Sequence, residues 1–304
     1  MTQTDPFLRP SPDRAAPPTV GIVGVGAMGL PMARRLHAHG FSVRAVDISP
    51  ARVAQCRAEG MQADDDLGIV AGSDIVLAMV ATGAQLRELL TAPVVTGGGL
   101  RGAVLVVMST VGPELLRDAA SVSERHGLRL LDCPVTGGVA GAADGTLTLF
   151  AAGAEETLTD ARRALEVVGT VHLVGPRLGD GQSFKLVNQM LAGIHLAAAG
   201  EAIAFAERLG LDPVLVQRLL PTGAASSWML ADRGPRMCLP AQQRPTETRL
   251  SVFVKDSGLV RAAAEDSGAH APLTRAAGRA WAQAAELGFG DGDDSGIVEV
   301  FRRG

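Results

Sequence analysis

The first residues in this 304-residue chain whose types and spacing could do chemistry as a group are glycines. Gly24-Val25-Gly26-Ala27-Met28-Gly29 follows a Val/Ile-rich run and opens a stretch of helical periodicity. In a G-x-G-x-x-G run so placed, the first glycine makes a tight turn and the second lets the backbone approach a pyrophosphate. The third lets the helix pack close on the strand, and the phosphates sit at the positive helix N-terminus. Asp47 ends the next apolar run, 23 residues after Gly24, close to the spacing of the acid that holds the adenosine ribose hydroxyls. A carboxylate there repels a 2′-phosphate, which favours NAD over NADP. The competing readings are a plain glycine-rich turn and a helix cap from Asp47 across Ser49-Pro50.

These residues need elements to position them. Short Val/Ile-rich runs alternate with longer helical patterns, which predicts parallel strands joined by crossover helices. Strands are expected at Thr19–Val25, Ser42–Asp47, Asp74–Val80, Ala103–Met108 and Leu128–Asp132, and helices near Met28–His39, Ala51–Ala58, Ala84–Leu90 and Pro113–His126. Thr146–Ala152 and Val171–Val174 flank a helical Glu155–Val167 and extend the same sheet. The fold class that follows is α/β, an N-terminal Rossmann-type doubly wound parallel sheet followed by an all-α C-terminal domain. The division predicted is a loose, proline-rich tail over 1–18, a dinucleotide-binding domain over 19–181 and a helical domain over 182–304. In the last, Ser183–Leu209 reads as one long helix, apolar around much of its circumference and therefore buried, stopped by Gly210. Further helices are expected at Pro213–Leu219, around Trp228, at Leu250–Ala264 and at Pro272–Leu287.

Composition narrows the class of function. With 47% hydrophobic and 20% charged residues the chain is globular rather than disordered. A net charge of −4 gives no footprint for nucleic acid. No uninterrupted apolar run of about 18 residues marks a membrane span, and the opening segment has no signal-peptide core. Cys56, Cys133 and Cys238 are too far apart for a zinc site or a disulfide framework and read as reduced thiols in a cytoplasmic protein. Asp291, Asp293 and Asp294 read as a solvated turn rather than a cation site, so no metal is expected.

Four blocks together resemble the β-hydroxyacid dehydrogenases, the 3-hydroxyisobutyrate dehydrogenase-like family. They are Gly24-Val25-Gly26-Ala27-Met28-Gly29-Leu30-Pro31-Met32-Ala33; Asp132-Cys133-Pro134-Val135-Thr136-Gly137-Gly138 with Ala142 and Gly145-Thr146-Leu147; Gly179-Asp180-Gly181-Gln182-Ser183-Phe184-Lys185-Leu186-Val187-Asn188-Gln189; and Val254-Lys255-Asp256. Within the family the sequence is most similar to the L-threonate dehydrogenase branch, through Leu191-Ala192-Gly193-Ile194-His195, Ser226-Ser227-Trp228-Met229, Phe253-Val254-Lys255-Asp256 and Asp293-Asp294-Ser295. The chain departs from the family pattern at Thr136 (usually serine), Gln189 (the second asparagine of the lysine helix), Arg35 (asparagine) and Ala81 (proline).

The resemblance implies an NAD-dependent oxidoreductase acting on the CH–OH of a small hydroxy acid. Lys185 is the implied acid/base residue, at the start of the long helix and facing the cleft between domains, where burial and the helix N-terminus disfavour its ammonium form. Thr136, Gly137 and Gly138 offer a hydroxyl and approachable N–H groups to the substrate carboxylate. Asn188 and Gln189 join them, Asn188 one turn after Lys185 on the same face. Gly24, Gly26, Ala27, Met28, Gly29, Asp47, Val80, Ala81, Ser109, Thr110 and Lys255 are the implied cofactor contacts. L-threonate or a similar sugar acid is the implied substrate. 3-Hydroxyisobutyrate oxidation and tartronate- or succinic-semialdehyde reduction are the neighbouring activities, and a non-catalytic NAD sensor or scaffold is the reading from another class. Imine reductases of the same ancestry generally lack the lysine. His195, Trp228 and Trp281 read as packing residues. The apolar long helix implies a homodimer or homotetramer.

Overall fold

A computed structural model describes residues 17–303. Most of the tail expected over 1–18 lies outside them. The chain forms two compact units that divide between Gly181 and Gln182.

In the first unit nine strands form one sheet. They are β1 (Thr19–Val23), β2 (Ser42–Val46), β3 (Gln62–Asp64), β4 (Ile75–Ala78), β5 (Val104–Val107), β6 (Arg129–Asp132), β7 (Val135–Thr136), β8 (Leu147–Ala152) and β9 (Gly169–Gly175), in the order β3-β2-β1-β4-β5-β6-β8-β7, with β9 on β8. The first six are mutually parallel, β8 runs antiparallel to β6 and β7, and β9 is parallel to β8. The helices are α1 (Gly29–Ala38), α2 (Pro50–Ala58), α3 (Gly83–Thr91), α4 (Pro93–Thr96), α5 (Pro113–His126), α6 (Gly138–Asp144) and α7 (Glu155–Val168).

The reason these runs are strands is visible in where their side chains go. Successive residues of a strand point to opposite faces. Ile75, Leu77, Val104 and Val106 enter one core with Leu36, Leu158 and Leu165, while Val76, Ala78, Leu105 and Val107 enter another with Leu86, Leu89 and Leu116. A strand covered on both faces must be apolar throughout, hence the unbroken Val/Ile/Leu runs. β1, β2, β4 and β5 stop one or two residues short of the expected ends, β6 and β8 end where expected, and β9 runs to Gly175, one residue past.

The second unit contains α8 (Asp180–Arg208), whose first two residues belong to the first unit, then α9 (Pro213–Leu219), α10 (Trp228–Met237), α11 (Leu250–Asp266), α12 (Pro272–Ala284) and α13 (Val298–Arg303). Its core gathers Leu196, Ile203, Phe253, Trp281, Ile297 and Val298. Trp281 is fully buried, stacks on Phe253 with ring centroids 4.8 Å apart, and donates its indole N–H to the Gly193 carbonyl at 3.3 Å.

Two expectations need correction here. The long helix is not buried all round: Val187, Leu191, Phe205 and Leu209 are each more than half exposed. By length and composition α8 passes for a bilayer span, but half of its most apolar window is buried in the protein, as in a core helix. The acidic turn is solvated only at Asp291, which is exposed. Asp293 and Asp294 are buried, and Asp293 accepts from Arg236 at 2.9 Å and from Ser295 at 2.6 Å, while Asp294 accepts from Arg233 at 3.2 Å. Arg233 and Arg236 are buried as well, so the turn is the centre of an ion network. Its partners stand some sixty residues earlier in the chain. Among the described residues no cluster of His, Cys, Asp and Glu is arranged to hold a metal ion.

Candidate functional site

In the sheet unit, strand order reverses between β1 and β4. Ligands of such sheets bind beyond the carboxyl ends of the strands at that point. Gly24 follows β1 there, and Met79 and Val80 follow β4.

Each glycine of the loop has its own steric cause. Gly24 adopts φ +92°, and a Cβ on it would stand 2.5 Å from the Met79 carbonyl oxygen, so turn and neighbour both demand glycine. A Cβ on Gly29 would collide with the carbonyl of Gly24, which sets the close approach of α1 to the strand. Gly26 differs: a Cβ there would meet nothing within 4 Å. Glycine at this position leaves space rather than relieving a clash. The N–H groups of Gly26 and Ala27 find no acceptor among the described residues, and α1 has no side-chain cap. Open N–H groups at a helix N-terminus beside an open glycine fit a pyrophosphate.

Asp47 is half-buried at the end of β2. Its Oδ2 accepts the Val25 N–H at 2.9 Å and its Oδ1 the Ser49 N–H at 2.9 Å, so the carboxylate is tied to the glycine loop. Each oxygen keeps a lone pair for a ribose hydroxyl. Val80 is half-buried and Ala81 exposed. The Ala81 N–H donates to Gln85 Oε1 at 2.8 Å, beside the Thr82–Gln85 capping box that starts α3. After β5, the buried Ser109 donates to the Ala78 carbonyl at 3.2 Å, and Thr110 follows half-buried. Thr136 closes β7, paired with Thr148 of β8, and Gly137 (φ +126°) and Gly138 (φ +67°) turn the chain into α6. Arg35 lashes α1 to α6 and α7 by donating to the carbonyls of Ala143 (3.2 Å) and Val167 (2.9 Å).

In the helical unit α8 begins at Asp180, so Lys185 stands in its second turn. The field of a helix end fades within the first turn, and burial has the larger effect. Only 6% of the residue is exposed, and the amine is pushed down to about 8 from its ordinary range by that burial, with the Asp256 carboxylate opposing and Lys255 assisting. Asn188 donates to Gln189 Oε1 at 3.0 Å, Gln189 donates to Asp256 Oδ2 at 2.6 Å, and Lys255 Nζ lies 3.0 Å from Asp256 Oδ1. Gln189 and Lys255 thus contact one buried carboxylate, to which Asn188 is joined through Gln189 and whose charge acts on Lys185. Asp256 is the residue that sequence reading left without a role. A signal existed: it lies on the buried stripe Leu250, Phe253, Asp256, Val260 of α11, and an acid on an apolar stripe calls for a partner.

Residues 19–175 match the NAD binding domain of 6-phosphogluconate dehydrogenase, and residues 179–301 match the domain described as NAD-binding of NADP-dependent 3-hydroxyisobutyrate dehydrogenase. The L-threonate dehydrogenase of Cupriavidus necator is 33% identical over 93% of this chain and 95% of its own. A 2-hydroxy-3-oxopropionate reductase of Escherichia coli is 35% identical over 72% of this chain and 75% of its own. The crystal structure of a 3-hydroxyisobutyrate dehydrogenase from Salmonella typhimurium superposes with a TM-score of 0.85 at 31% identity, covering 93% of this chain and 99% of that one.

The chain belongs to the 3-hydroxyisobutyrate dehydrogenase family. It is an NAD-dependent dehydrogenase of hydroxy acids, and family membership covers both units. Of its departures from the family pattern, Thr136 keeps the hydroxyl at the head of the glycine turn, Arg35 becomes a structural clamp, Ala81 sits in the capped start of α3, and Gln189 is bound at both ends of its amide.

Proposed function

We propose that the protein oxidises a hydroxyl of L-threonate or a similar sugar acid, with Lys185 as acid/base residue. The observation that carries this reading is the buried Lys185 amine, held near 8, where it can be neutral at working pH. The substrate alcohol must lose a proton as its carbon loses hydride, and a neutral amine accepts it. Bound NAD supplies the hydride acceptor. Thr136, Gly137 and Gly138 hold the substrate carboxylate through a hydroxyl and N–H groups, and Asn188, placed by Gln189, binds a substrate oxygen. Gly24, Gly26, Ala27, Met28 and Gly29 cradle the pyrophosphate and Asp47 takes the ribose hydroxyls. Val80, Ala81, Ser109, Thr110 and Lys255 complete the cofactor contacts, and NAD is preferred over NADP. A sensor or scaffold without turnover has no use for a buried lysine whose ammonium is destabilised.

The 2-hydroxy-3-oxopropionate reductase, more identical over a shorter stretch, favours tartronate semialdehyde reduction as the second reading. The test is NADH absorbance with L-threonate and 3-hydroxyisobutyrate as donors, and NADH consumption with tartronate and succinic semialdehydes. L-threonate is expected to give the highest kcat/KM; a higher value for another member moves the substrate there, and no turnover with any of them rejects the family of substrates.

The reading extends to assembly. Val187, Leu191, Phe205 and Leu209 place apolar surface along the whole of α8, and such a stripe on a cytoplasmic protein is covered by a second copy. A homodimer or homotetramer follows, with 19–181 serving NAD and 182–304 serving substrate and assembly. Analytical ultracentrifugation showing only monomer at micromolar concentration refutes it.

A further inference from the structure

Apart from Asp293 and Asp294 of the ion network, the helical unit buries the carboxylate of Asp256, which the proposed chemistry does not use. Asp256 is 2% exposed, and a carboxylate so placed must be held by donors. A carboxylate only accepts, so Gln189 must turn its NH2 toward Asp256 Oδ2, where the 2.6 Å bond forms. That choice leaves Gln189 Oε1 facing Asn188, which in turn must present its own NH2, bonded at 3.0 Å. The charge on Asp256 therefore fixes the orientation of two amides in series. Asn188 is left with one N–H and its carbonyl oxygen, in a set orientation, for a substrate carboxylate or hydroxyl. Oδ1 of the same carboxylate is ion-paired with Lys255 Nζ at 3.0 Å.

We propose that Gln189 and Asp256 are positioning residues for the reaction: Asp256 orients Gln189, and Gln189 orients Asn188 for the substrate. This rests on the reading of Lys185 as acid/base residue and of Asn188 as substrate ligand. Glutamine length is essential, since asparagine is shorter by one carbon–carbon bond of about 1.5 Å, too much for the span.

The charged groups bearing on Lys185 are Asp256 and Lys255 of α11, and removing the first while keeping the second has a defined sign. Without the anion the ammonium is less favoured, so Asp256→Asn moves the pH limb of hydroxy-acid oxidation to lower pH. Gln189→Asn acts elsewhere: KM for the panel acid with the highest kcat/KM rises about tenfold while kcat and the KM for NAD stay within twofold. Asn188→Ala raises the same KM, and adding Gln189→Asn to it raises it no further, because the strut then has nothing to orient.

The experiment is steady-state kinetics from pH 6 to 10 on these variants, with Lys185→Ala in parallel and circular dichroism to check folding. Should Asp256→Asn fail to fold, the Gln189→Asn single and double variants, at a half-exposed position, carry the test. Unchanged KM in Gln189→Asn, or KM effects that multiply in the double variant, overturn the relay while Lys185→Ala still abolishes activity. A near-normal rate in Lys185→Ala overturns the parent assignment and the relay with it.

Discussion

In the sheet unit the groups proposed to meet a ligand are backbone N–H groups and one carboxylate, placed by where strands stop. In the helical unit they are side chains, placed by the packing of α8 against α11. The first arrangement is steric: Gly24 and Gly29 stand where a Cβ would have no room, and Gly26 stands beside open space. The second is electrostatic, a buried amine whose ammonium form burial disfavours and the Asp256 carboxylate favours. Substitutions should accordingly be felt as lost fit in one unit and as lost or misplaced charge in the other.

The largest effect is expected in the helical unit. Lys185→Ala should cut kcat by roughly 10²–10⁴, the contribution of a positioned general base, with melting temperature and NAD binding nearly unchanged. Lys185→Arg should not rescue, because guanidinium stays protonated. Since only the neutral amine accepts a proton, oxidation should rise with pH to a plateau with a midpoint near 8. Reduction, which needs the ammonium, should fall through the same range. Both limbs should vanish in the alanine variant; a near-normal rate with the limb intact would return Lys185 to an ordinary buried residue.

Charge in the same unit also serves stability alone. Asp293→Ala removes the partner of Arg236 Nε and of Ser295, leaving a buried guanidinium under-neutralised. Breaking such a pair costs about 3–5 kcal/mol, read as a lower midpoint in denaturant unfolding, with kcat of the folded fraction unchanged. A loss under about 1 kcal/mol would mean that Glu247, 2.9 Å from Arg236, suffices.

How far the two regions were legible follows the same division. The parallel strands could be read because burial on both faces forces unbroken apolar runs, and the glycine loop because its spacing states its sterics. The ends were misplaced at Val25, Met79 and Val80, which lie past the strand ends yet are apolar and pack against the two cores, so apolarity alone does not mark where a strand stops. β3, β7 and α6 were missed: Gln62–Asp64 is polar, and Gly138–Asp144 carries two glycines and no apolar period, so nothing local specifies a helix. Asp293 and Asp294 looked solvated because their arginines are distant in sequence. Lys185 drew its role from resemblance, since a lone lysine in a helix says nothing of the carboxylate another helix will bring beside it.

Effects in the sheet unit should be smaller and confined to the cofactor. Gly26→Ala adds a methyl group where no protein atom stands within 4 Å, so the fold should keep its melting temperature. The methyl group instead occupies the approach to the open N–H groups of Gly26 and Ala27, and losing one hydrogen bond to a charged group costs about 1.5–3 kcal/mol. NAD affinity, measured by calorimetry, should fall by about tenfold to a hundredfold. A drop in melting temperature with affinity intact would show that Gly26, like Gly24, is there for the fold.

The smallest effect, and the one that separates ligand from scaffold most finely, is expected at Asp47. Its carboxylate bonds the N–H groups of Val25 and Ser49, so Asp47→Ala both loosens the loop and removes the acceptor for the ribose. Loosening weakens NAD and NADP alike, whereas the missing acceptor weakens only the cofactor whose 2′-hydroxyl it received, by about 1.5 kcal/mol for one charge-assisted bond. The missing charge also lifts the repulsion of a 2′-phosphate. The ratio of kcat/KM for NAD over NADP should therefore shrink by about tenfold or somewhat more, mainly through KM. If the ratio stays fixed while both values fall together, Asp47 is only a strut between β2 and the glycine loop, and equal efficiency with both cofactors in the unmodified protein would remove the ribose assignment altogether.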